Sequence, residues 1–127
     1  MDTATLVNFD IEQGQKVMEA LDQDGKSPDV VMWAKFPEFE NWRLVIASDQ
    51  LNQSSALIGY TQINETLKRL GIPLQRRVPL ALRPVQRPFI QALRHAFASA
   101  SDTYGMRLGG QMFGDQYLED AFVYRIR

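Results

Sequence analysis

The chain has no cysteine and a single histidine, His95, among its 127 residues. The first absence removes disulfides, thiolate catalysis, Cys-ligated zinc and iron–sulfur clusters together. The second leaves any metal site to carboxylates and water, a donor set suited to Mg²⁺. Long apolar runs are missing too. The longest is Val30 to Ala34, far short of the ~20 residues that cross a bilayer. The opening MDTATLVNFDIEQ has no basic stretch followed by an apolar one, so no secretory signal is read and a cytoplasmic location is expected.

The most informative gap is local. Between Thr66 and Ser101 there is no carboxylate, yet Lys68, Arg69, Arg76, Arg77, Arg83, Arg87 and Arg94 all fall there with His95. Residues 1–65 carry a net −7 and residues 102–127 a net −1, against +7 for this segment and −1 for the whole. Such segregation makes a positive surface for an anionic partner, or lets the halves of one fold neutralise each other.

What is present reads as one α/β domain over residues 1–127, with 1–8 as an N-terminal arm. Composition is ordinary for a globular protein, at 45% hydrophobic and 23% charged. The length suffices to bury about two-thirds of the unfolded surface. A first helix is expected from about Asp10 to Asp24, capped by Asp10 with Gln13, with Ile11, Gly14, Val17, Met18 and Leu21 inward and Gly25 as a left-handed stop. Val30 to Phe36 reads as an interior strand and Trp42 to Ser48 as an alternating one, joined by a hairpin loop at 37–41. A second helix spans about Ala56 to Leu70 and ends at Gly71. A short or edge strand follows over Arg77 to Leu82, since Pro79 cannot donate to a ladder. A third helix runs from about Arg87 to Ala100 with Pro88 in its first turn. Gly105–Phe113 and Tyr117–Arg127 then form a hairpin about Gly114-Asp115. The order α-β-β-α-β-α-β-β implies a single mixed, mostly antiparallel five-stranded sheet with three helices, α+β-like in character.

Five groups are candidates for chemistry. Arg76, Arg77, Arg83, Arg87, Arg94 and His95 suit an anion, because guanidinium forks match carboxylate and phosphate. Arg87 and Arg94 lie seven residues apart and so nearly in line on a helix. No aromatic interleaves that polar face, and a pI near 5.8 disfavours a dedicated nucleic-acid binder. Phe39 and Trp42 are candidate interface anchors at the strand–strand loop, the alternative being that Phe39 folds back onto Trp42. Ser48, Asp49, Ser54 and Ser55 with His95 would need a chained arrangement to act as a hydrolase, and no strained nucleophile turn is present. Gly105, Gly109, Gly110 and Gly114 match no phosphate-cradle spacing, and Gly109-Gly110 reads as a bulge or as a place where a helix packs tightly on the sheet. Asp115, Glu119 and Asp120 are close in sequence, but the last two alternate across a strand, so no metal site is expected.

The reading these features favour is a non-catalytic cytoplasmic protein that works as an interaction or accessory module with a protein partner, for which a homodimer is one form. No cofactor and no membrane contact are expected. The alternatives are nucleic-acid or phosphate-ligand binding through the 76–94 arginines, and a hydrolase or metal-dependent nuclease.

Overall fold

A computed structural model describes residues 6–49, 56–71 and 78–127. These residues form helices α1 (Asn8–Gln23), α2 (Ala56–Arg69) and α3 (Pro88–Ala96). The strands are β1 (Val30–Lys35), β2 (Arg43–Ala47), β3 (Leu80–Leu82), β4 (Arg107–Leu108), β5 (Gln111–Phe113), β6 (Gln116–Leu118) and β7 (Asp120–Ile126). Five strands make one sheet in the order β3-β2-β1-β7-β4, and β5 with β6 makes a separate two-stranded ribbon. All neighbours in the sheet are antiparallel except β2 and β3, which run parallel. The mixed, mostly antiparallel five-stranded sheet expected from the sequence is therefore present, with three helices.

β1 is central and buried on both faces, as its unbroken apolar run implies. Alternation sorts the sheet's side chains into two cores. Val31, Trp33, Leu44, Ile46 and Tyr124 face α1 and α2, meeting Val17, Met18, Leu21, Ile63 and Leu67. Val30, Met32, Val45, Ala47, Ala81 and Val123 face the other way, onto α3 through Phe89, Ile90 and Leu93. Phe113 and Leu118 belong to that second core, so the β5–β6 ribbon lies beside α3 in one covering layer.

Two departures from the expected pattern shape this layer. The long final hairpin does not run straight. At Gly109-Gly110 the chain leaves the main sheet, because Gly110 takes φ +71° and Gly109 lies against the Glu119–Asp120 backbone, where a Cβ would sit 2.4 Å from the Glu119 carbonyl oxygen. The second departure is in β7. Val31 pairs with Arg125 and Met32 with Val123, so Tyr124 is an extra residue and the strand bulges. Tyr124 and Arg125 consequently share the α1 face instead of alternating.

The bulge holds α1 in place. Trp33 Nε1 donates to the Asp10 carbonyl and to the Tyr124 hydroxyl, both at 3.1 Å, and that hydroxyl donates to the Ile11 carbonyl. Gly14 leaves room for this: a Cβ there would fall 2.4 Å from the Tyr124 oxygen. Arg125 clasps the other end of α1 with two 2.9 Å bonds to the Asp22 carboxylate.

Helix ends differ modestly from expectation. α1 starts at Asn8, and Asp10 lies inside the first turn, its carboxylate accepting from the Val7 N–H at 3.3 Å. α3 stops at Ala96 because Ala98 to Ser101 are exposed and offer the helix no apolar stripe to bury. β3 is the short edge strand that Pro79 implied. Its outward Leu80 carbonyl and Leu82 N–H are both taken by the Tyr60 hydroxyl of α2, at 3.3 and 2.9 Å.

Candidate functional site

The acidic and basic parts of the chain do neutralise each other, but not where the segregation is strongest. Asp24 pairs with Lys26 and Arg69, Asp22 with Arg125, and Asp29 with Arg127. Glu119 takes Lys35 and Asp120 takes Arg107. Three carboxylates of the amino-terminal half are thus engaged with Arg125 of β7, with Arg127 just after it, and with Arg69 at the end of α2. The Lys26 ammonium and the Thr66 hydroxyl hold the Asp24 carboxyl down to about 2. Asp22 is likewise held below the usual carboxylate range, first by its Arg125 bonds.

Arg83, Arg87 and Arg94 are different. None has an Asp or Glu carboxylate within ion-pair distance among the described residues. Arg83 donates from Nη1 to its own neighbour's carbonyl, Leu82, at 3.0 Å. Arg94 donates from Nε to the Arg127 carbonyl at 2.8 Å. Each commits one N–H to the main chain and keeps the rest of its fork. Arg87 caps α3 with its main chain only, and its side chain is exposed. From Arg87 to Arg94 the helix turns almost twice, so these two lie on one side about 10 Å apart along the axis. His95 is exposed beside Arg94 in the last turn. Both residues there also complement the carboxyl-terminal end of the helix dipole. Arg76 and Arg77 lie outside the described residues.

A further cation on the α3 side of the sheet had no place in the sequence reading. Arg43 alternates with Val45 and Ala47, and its guanidinium stacks 4.3 Å above the Phe39 ring. Its Nε is buried without a hydrogen-bond partner. Stacking on an aromatic face is a guanidinium's substitute for an ion pair.

The aromatic anchors are placed otherwise than proposed. Trp42 is only 6% exposed and belongs to the α1–α2 core, 5.9 Å from the Arg107 guanidinium. Phe39 is half-buried and turns to the opposite core, edge-on to Phe36 at 6.4 Å. Neither ring projects freely, and Phe39 does not fold onto Trp42. Trp42 continues the Leu44 and Ile46 face of β2, whereas Phe39 lies in the loop between β1 and β2, outside strand alternation.

The exposed large apolar side chains on this layer are Met112 and Tyr117, at 58% and 41%. They are cross-strand partners on the ribbon. Their opposite-face neighbours Phe113 and Leu118 are buried. The sequence held this signal, since a two-residue turn at Gly114-Asp115 pairs Met112 with Tyr117.

The other constellations are not assembled. The Ser48 hydroxyl is buried against the Lys26 and Ser27 carbonyls at 3.4 and 3.3 Å, and no bond to His95 exists among the described residues. Ser54 and Ser55 lie outside them. Glu119 and Asp120 are engaged with Lys35 and Arg107, and among the described residues no three His, Asp or Glu groups gather as metal ligands. No helix among them is long and apolar enough to cross a membrane. The chain matches no protein family, no curated protein and no solved structure.

Proposed function

We propose that the protein is a non-catalytic interaction module that receives an anionic partner on the outer side of α3, through Arg83, Arg87, Arg94 and His95. One contrast carries this reading. Lys26, Lys35, Arg69, Arg107, Arg125 and Arg127 each have an Asp or Glu partner, whereas Arg83, Arg87 and Arg94, like Lys16, Arg43 and Lys68, have none among the described residues, and only the first three gather about α3. A guanidinium without an Asp or Glu partner keeps donors of its fork free for an incoming carboxylate. From Val78 to Ser101 no acidic residue dilutes the field of these side chains.

The test is retention on immobilised polyglutamate at pH 7 across a salt gradient. The wild-type protein elutes late, and the Arg87→Glu/Arg94→Glu variant flows through. Exposed charges weaken sharply above the ~10 Å screening length of 0.1 M salt, so retention falls as salt rises. Flow-through of the wild type at ~50 mM salt rejects the proposal.

A further inference from the structure

The ribbon and α3 cover the same face of the sheet, so their outward sides point the same way. Phe113 and Leu118 face the sheet from the ribbon, just as Phe89, Ile90 and Leu93 do from α3. The turn is seated on the start of the helix: at Gly114 a Cβ would lie 2.5 Å from the Pro88 carbonyl. What faces solvent is therefore one continuous surface with two chemistries. The α3 part is cationic and free of carboxylates. The ribbon part presents the Met112–Tyr117 pair, bordered by Asp115 at the tip and Glu119 at the far end.

Resting on the anionic-partner reading above, we infer that the partner is a protein segment that sets carboxylates beside one or two bulky apolar side chains. The carboxylates meet Arg87 and Arg94, and the apolar groups meet Met112 and Tyr117. Methionine and tyrosine are apt for this: the first adapts its shape, and the second gives large area at small entropic cost. Charge complementarity excludes a uniform polyanion as the better ligand. A phosphate chain long enough to cross both parts would run past Asp115, and Glu38 is close by, accepting from Gln116 at 3.0 Å. A chain with charge on one part only meets no such repulsion.

Fluorescence anisotropy with three labelled probes tests this: a synthetic peptide alternating Glu with Leu and Trp, an oligoglutamate of equal charge, and oligo(dT). The mixed peptide should bind about tenfold more tightly than oligoglutamate, the margin of one good apolar anchor. Met112→Ala/Tyr117→Ala should erase that margin and leave oligoglutamate binding unchanged, while Arg87→Glu/Arg94→Glu weakens both. Both pairs are on the surface, and thermal melting verifies that each variant folds; Tyr117→Ser alone serves if the alanine pair does not. Equal binding of the two peptides overturns this inference and leaves the anionic-partner reading standing. Binding of neither peptide removes both. Tighter binding of oligo(dT) than of the mixed peptide overturns it in favour of nucleic acid.

Discussion

Gly14 shows how much a single side chain decides here. Its α-carbon faces the Tyr124 hydroxyl and the Trp33 indole, which together tie the first turns of α1 to the sheet. Gly14→Ala should destabilise the protein by about 1–3 kcal/mol, since a methyl has no free volume there and overpacking costs that much. The helical preference for alanine returns at most about 1 kcal/mol of this. Tyr124→Phe removes the obstructing oxygen but loses its bonds with the Trp33 indole and the Ile11 carbonyl, so it too destabilises, by about 1 kcal/mol. Urea denaturation of the two single variants and the double should give less than the sum. Strict additivity would show that the contact is relieved elsewhere. The Gly14 position on the inward stripe was readable from helical spacing. Its partner was not, because the contact joins residues more than a hundred positions apart in sequence.

At the scale of elements, the ribbon's seat on α3 is testable through Gly114. This residue takes φ +61° and has no space for a Cβ against Pro88 and Phe89. Gly114→Ala should therefore lift the ribbon from the helix, lowering the melting temperature and weakening the mixed peptide while sparing oligoglutamate. A variant that melts and binds as wild type would contradict that seat. The elements themselves were largely legible. The interior strand, the antiparallel β1–β2 pair, the edge character of β3 and the Gly114-Asp115 turn all follow from apolar pattern and turn chemistry. Three features do not. The division of the last hairpin depends on Gly109 meeting Glu119 across the chain, a tertiary contact without a local signature. The bulge leaves no mark on alternation strong enough to see, because Phe122, Val123 and Tyr124 are apolar whichever way they face. The early end of α3 reflects exposure, which helical propensity does not register. For the candidate site, the alignment of Arg87 and Arg94 along α3 follows from their spacing, whereas the division of Phe39 and Trp42 between two cores has no mark in the loop's sequence.

For the whole molecule, charge is apportioned rather than mixed. The carboxylates of α1's end serve as fasteners between α1, α2 and β7, and this makes acid stability predictable. Asp24 titrates near 2 in the folded protein, below its usual 3.8. A depressed carboxylate stabilises the fold fully above its unfolded value and loses that contribution as the pH falls towards its folded one. The stability difference between wild type and Asp24→Asn should accordingly be largest above about pH 5 and shrink between pH 4 and 2. A difference that stays constant through that window would show that Asp24 acts by shape alone.

One surplus residue in the final strand has a consequence for how this chain can change. Removing a residue at 124 would restore regular pleating, yet α1 would lose its amino-terminal tether and the packing against Gly14 in one step. Deleting Arg125 instead would unfasten the helix at its other extremity. Insertions and deletions are tolerated in most surface loops; in the last five residues before the carboxyl end of β7 a change of length alone would set the first helix adrift.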